Sequence, residues 1–168
     1  MESTRDRILK AVRAQPQVNL GAVEAIVTGM ADKKGGLVKT LIQQKILSEQ
    51  DLLVLLVREL RVPSIDLTKY RIDERLKTLL PEKLARQYHV VPISHLADSL
   101  TIAVADPLNV VVIDDLANIT GKNIDIVLST EAQIHRTIDQ FYSATANSIA
   151  QMTETLESEN IEYVGQEN

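Results

Sequence analysis

Gripping a phosphate is the first chemistry these residues suggest. A P-loop needs Gly-x-x-x-x-Gly-Lys-Ser/Thr, so that backbone amides wrap the phosphates and the Lys meets the terminal one. Gly35-Gly36 followed by Lys39-Thr40 is the nearest approach in the chain, and its spacing is wrong. Acid pairs come next. Asp114 and Asp115 are adjacent, and helical neighbours point about 100° apart, so they cannot share a proton or hold one metal ion between them. They read as solvated helix residues. Asp106 is followed by Pro107, which suits a helix N-cap with Pro at the first helical position better than a ligand role. His89 and His95 flank a short apolar strand pattern and His135 falls on the last helix. With no Cys in the chain, too few donors converge for a zinc site. A Gly-x-Ser-x-Gly elbow, which would expose a nucleophilic serine, is absent from the sequence. The residues thus predict no catalytic site, no metal and no cofactor.

The elements that carry these residues follow from periodicity. Helical spacing runs over Arg5 to Ala14 and Leu20 to Asp32, split by Pro16, and again over Leu37 to Gln44 and Glu49 to Leu60, giving two helical hairpins. Ser48 suits the N-cap of the fourth helix, with Glu49 and Asp51 favourable to its dipole. Leu52 to Val57 is apolar nearly all round, which predicts burial on more than one side. Pro63 marks an extended lead-out, after which the architecture changes. Short helices are expected over Asp73 to Leu79 and Pro81 to Gln87, then strands over His89 to Ile93 and Leu100 to Ala105, paired as an antiparallel hairpin. A helix over Pro107 to Ile119 stops at Gly121, a strand spans Ile124 to Leu128, and a last helix starts near Glu131 with Thr130 and Gln133 as a capping box. The fold class is α+β: N-terminal helical hairpins over 1–60, then over 61–142 a small three-stranded sheet packed with helices in the order helix-strand-strand-helix-strand-helix, and an acidic tail or linker over 143–168. The last helix either frays into that tail or continues as a partner-seeking amphipathic helix through Ile149, Met152 and Leu156.

Composition bounds the function. Aromatic residues make up only 3% of the chain, too few for a platform on which bases stack. All of the net charge of −5 comes from five glutamates between Ser143 and Asn168; the body before them is balanced, which disfavours nucleic acid as a partner. The longest apolar run, Leu52 to Val57, is far short of the ~20 residues that span a bilayer. A cytoplasmic protein without direct membrane insertion is expected.

An ordered series of short motifs carries a family resemblance. Val62-Pro63, Asp66-Leu67, Leu79-Leu80-Pro81, Leu84-Ala85, Val91-Pro92, Leu100 to Leu108 (reading Leu-Thr-Ile-Ala-Val-Ala-Asp-Pro-Leu), Asp114-Asp115-Leu116, Thr120-Gly121 and Phe141-Tyr142 resemble the N-terminal domain of type II secretion and type IV pilus assembly ATPases. The resemblance covers Gly36 to Tyr142. It implies a noncatalytic docking or regulatory domain, with the cytoplasmic part of an inner-membrane platform protein as partner and the protein held at the inner face of that membrane through partners. It also implies an ATPase domain in cis if the chain is a fragment, and a freestanding regulator otherwise; a separate reading, from the last helix alone, is a freestanding scaffold that oligomerises through it.

Some members of that family bind cyclic di-GMP through a motif resembling Arg-Leu-Gly-x-x-Leu-Val-x-x-Gly-Leu-Leu-x-x-x-x-Leu-x-x-x-Leu-x-x-Gln. Laid on Gly36 to Glu59, its apolar positions match at Leu37, Leu41, Ile42, Ile46, Leu47, Leu52 and Leu56. Its ligand-facing positions fall on Gly36 for the Arg, Val38 and Lys45 for the two Gly, and Glu59 for the Gln. A guanidinium plane is lost, a Val blocks close backbone approach, and a carboxylate faces a phosphate. Lys33, Lys34, Lys39 and Lys45 offer compensating charge. A cyclic di-GMP sensor is the alternative reading, and no residue is expected to bind the ligand.

Overall fold

The computed structural model describes residues 2–29 and 36–143. The proposed continuation through Ile149, Met152 and Leu156, and Lys33 and Lys34, lie outside them. Four helices come first: α1 (Thr4–Arg13), α2 (Leu20–Gly29), α3 (Leu37–Gln43) and α4 (Glu49–Leu60). Ser3 opens α1 with a full capping box: its hydroxyl accepts the Asp6 amide at 3.1 Å, and the Asp6 carboxylate accepts the Ser3 amide at 3.2 Å. Ser48 caps α4 by accepting the Asp51 amide on its hydroxyl at 3.1 Å. Helix α1 packs on α4, although the two are far apart in sequence. Arg7 reinforces it by donating to the Glu59 carbonyl at 2.6 Å. Within α4, Leu52, Leu55 and Leu56 are buried but Val54 is 59% exposed. With Leu53 and Val57 half-buried, the helix is covered on more than one side, as expected, and Val54 marks its open side.

The second half is α5 (Leu76–Leu79), α6 (Glu82–Tyr88), β1 (Val91–Leu96), β2 (Ser99–Val104), α7 (Val110–Thr120), β3 (Asn123–Leu128) and α8 (131–143). The sheet has the order β1-β2-β3. The first pair is antiparallel and the second parallel, with α7 as the crossover that a parallel pair requires. Ser64 bridges Leu128 on the outer side of β3, so the lead-out from the helices is stitched to the sheet by Ile65 N–H to Leu128 O and Leu128 N–H to Pro63 O, each 2.8 Å. Leu100, Ile102 and Val104 are buried as their alternation predicts, and Ala103 on the opposite face is fully buried as well. A single apolar cluster joins Ile8, Leu41 and Leu56 of the helices to Leu80, Ile102, Leu128 and Ile138. Antiparallel packing of α8 on α6 is fixed at three levels: His89 beside His135, Arg86 paired to Asp139, and the Tyr142 hydroxyl donating to Leu80 O at 2.5 Å.

Four local expectations are corrected. Strand β1 starts at Val91 rather than His89, because His89 takes a left-handed φ of +53° to cap α6 and Val90 N–H turns back to Ala85 O. Pro81 is the N-cap of α6, outside the helix rather than its first residue. Asp106 does not cap α7. Its carboxylate accepts the Leu108 amide at 3.0 Å in a separate turn, and the helix begins only at Val110, with Asn109 in the cap position. The Thr130 box is half formed: Thr130 accepts the Gln133 amide, but the Gln133 side chain is taken by Leu67 N–H and the Ser129 hydroxyl. Gly121 ends α7 with a φ of +65°, as read.

Candidate functional site

The N-termini of α1 and α3, the α6–β1 corner and the β2–α7 turn converge on one cleft of about 840 Å³. Its volume lies within the range of small-molecule sites. Apolar walls come from Leu37, Val38 and Ile42 on one side and Pro107, Leu108 and Val112 on the other. Polar groups enter from Arg5, Lys39, His89, Asp106 and Glu131. Asp106 sits where the two halves meet. Its Oδ2 is so close to Gly36 that a side chain at 36 would collide with it. Burial pushes the Asp106 carboxyl above its usual range, and the Leu108 amide only partly offsets this.

The residues singled out from the sequence separate in space. Asp114 is exposed, as read, whereas Asp115 is half-buried and its carboxylate accepts the Tyr88 hydroxyl at 3.4 Å. Burial, then that carboxylate, raises the Tyr88 phenol. His95 stands on the exposed end of β1. His89 and His135, distant in sequence, are brought edge to face with ring centroids 4.9 Å apart, and His135 lies 3.6 Å from Glu131. That contact had no local signal, since it exists only because α8 returns antiparallel along α6. Among the described residues no three His, Asp or Glu side chains converge to hold a metal ion.

The four motif positions are distributed as follows. Gly36 is the N-cap of α3, at the cleft. Val38 is buried and contributes to the cleft wall. Lys45 is exposed beyond the end of α3 with a φ of +53°, the region that favours glycine. Glu59 is near the end of α4, its carbonyl held by Arg7 and its carboxylate 3.2 Å from Arg58.

This geometry defines the class of the molecule: an α+β module in which a helical part closes over a three-stranded sheet and leaves a cleft at the seam. The chain belongs to the MshEN domain family, whose profile matches residues 60–148. The type IV pilus assembly ATPase PilB of Myxococcus xanthus is 30% identical over 109 residues, which cover 65% of this chain and 19% of PilB. The chain therefore spans about a fifth of the length of that relative. The structure of MshE with cdg superposes with a TM-score of 0.67 at 28% identity, covering 80% of this chain and 98% of that one. The N-terminal domain of XpsE shares the fold, with a TM-score of 0.66 at 19% identity over 83% of this chain and 96% of that one. The chain is thus homologous to the N-terminal domains of pilus and secretion ATPases, and no described helix is long and apolar enough to cross a membrane.

Proposed function

We propose that the chain is a noncatalytic docking and regulatory domain of a type II secretion or type IV pilus assembly ATPase, cytoplasmic, contacting the membrane platform through its protein surface, with the motor in cis. The supporting observation is the asymmetry of the matches: nearly all of a solved MshE chain is covered, against a fifth of a PilB. The sequence holds no P-loop, so ATP hydrolysis is assigned to the remainder of such a motor. Titration calorimetry against the cytoplasmic part of the platform protein of the same organism tests the reading. Saturable binding at moderate salt is expected; folded protein that gives no heat and no co-purification overturns it.

A cyclic di-GMP sensor is the second reading, favoured by the likeness to MshE with cdg and by a cleft of suitable volume. Against it stand Gly36, Val38, Lys45 and Glu59, where the binding motif of the family places Arg, Gly, Gly and Gln. The φ of Lys45 supports this placement of the motif, because the backbone keeps the conformation a glycine would supply while the residue is not one. Titration with cyclic di-GMP is expected to give neither heat nor a shift in melting temperature. Micromolar binding would promote the sensor above docking.

A further inference from the structure

A stretch with an excess of positive charge lies away from the residues that line the cleft. Six of its 18 Lys and Arg fall between 69 and 86 (Lys69, Arg71, Arg75, Lys77, Lys83 and Arg86), against three acids. Neighbouring carboxylates pair with four of them: Lys69 with Asp66, Arg75 with Asp73, Lys77 with Glu74, and Arg86 with Glu82 and Asp139. Arg71 and Lys83 are exposed and form no ion pair among the described residues. Lys83 is one helical turn before Arg86, and so on the side of α6 that borders α8. Half-buried Ile72, Leu79 and Leu84 add apolar surface to the same stretch.

Helix α8 delivers the chain to this face. Its last turn is anchored by Tyr142 on Leu80 O and by Phe141, over whose ring the Lys77 ammonium sits at 4.7 Å. The 25 residues that follow, 144–168, contain five glutamates and no Lys or Arg, with Ile149, Met152 and Leu156 at helical spacing among them. We infer that residues 144–168 dock along α5, α6 and the segment that leads into them, their glutamates meeting the two cations left without an ion pair there, Arg71 and Lys83. Attachment at Ser143 makes the contact intramolecular, with an effective concentration in the range of about 1 mM or more for a short tether. Pairs that are individually weak on a surface then suffice to hold the segment. Docking also sets the direction in which the chain leaves the domain, and keeps other acidic surfaces off this face.

The absence of Cys makes the test direct. A nitroxide is placed on Glu157→Cys in the full chain, and backbone amide spectra are recorded at low salt and at 1 M salt, where the Debye length is about 3 Å. The expected result is loss of amide intensity confined to residues 69–86 and the end of α8, recovered at high salt and in the Arg71→Glu/Lys83→Glu background, with all other resonances unmoved. Three results overturn the inference: no loss of intensity at low salt, loss centred on the cleft near Leu37 and Val112, or loss only when spin-labelled chain is mixed with a separate isotope-labelled chain, which would make a second copy the occupant. If the double variant fails to fold, the salt series on the Glu157→Cys protein alone still decides.

Discussion

Lys45 holds a φ of +53° in the connection between α3 and α4, where an L side chain costs about 1–2 kcal/mol relative to ordinary backbone. Lys45→Gly is expected to stabilise the protein by about 1 kcal/mol after the added entropy of the unfolded glycine is counted, read as a higher urea midpoint at unchanged slope. Asp106 makes the opposite kind of statement. Its folded pKa lies above the ordinary aspartate value of about 3.8 because it is buried. Between the unfolded and folded pKa the native state binds more protons, so this group's contribution to stability falls as pH rises through that window. Asp73, held down to about 2 by Arg75, acts in the reverse sense: its contribution is present above 3.8 and is lost as pH falls toward 2. Asp106→Asn keeps an acceptor for Leu108 N–H and removes the charge. It should raise stability at neutral pH and flatten the dependence above about pH 4, as urea titrations across that range would show; a variant less stable at pH 7 than at pH 4 relative to the parent refutes this.

Among the elements, α8 closes the second half. The Tyr142 hydroxyl is buried and donates to Leu80 O. Burial drives its ionisation far above the ordinary tyrosine range, so it remains a donor at every pH the fold survives. Tyr142→Phe strands the Leu80 carbonyl and is expected to cost about 1–2 kcal/mol. Hydrogen exchange should locate the loss: amides of α8 and the Leu80 turn should exchange faster, while those of α1 and α4 should not. The register of the sheet is likewise an element-scale result. Ile93 bulges where the pairing slips between Pro92 and Ser94, and its carbonyl takes the Tyr70 hydroxyl at 3.2 Å. That contact covers part of the outer edge of β1, a device that discourages further strand pairing there.

For the whole molecule, the seam between Gly36 and Asp106 couples the helices to the sheet. Gly36→Ala drives a methyl group into the carboxylate and is expected to destabilise by about 1 kcal/mol, near the low end of overpacking costs. Asp106→Ala should recover most of that loss in the double variant, giving a coupling of about 0.5–1 kcal/mol in a double-mutant cycle. Additive single effects would show that the two parts meet elsewhere.

Sequence alone determined the identity of the elements, their order and the chain's place among secretion and pilus ATPase domains, because these rest on local periodicity, on Ser48 and Gly121 as end signals, and on an ordered run of short motifs. The resemblance also laid the family's ligand motif on Gly36, Val38, Lys45 and Glu59, none of which has the residue type that motif calls for. Element ends were missed wherever a local signal had two uses. Asp106-Pro107 is equally good chemistry for a helix cap and for a free-standing turn, and the seam with Gly36 accompanies the second. Only the tertiary structure decided that α1 packs on α4, that His89 meets His135, that Gln133 serves Leu67 rather than its own helix start, and that a cleft opens between the halves. Those contacts join residues far apart in the chain, up to the 66 positions between Leu67 and Gln133, and no local pattern encodes which buried surface a helix will find until all of them compete for the same core.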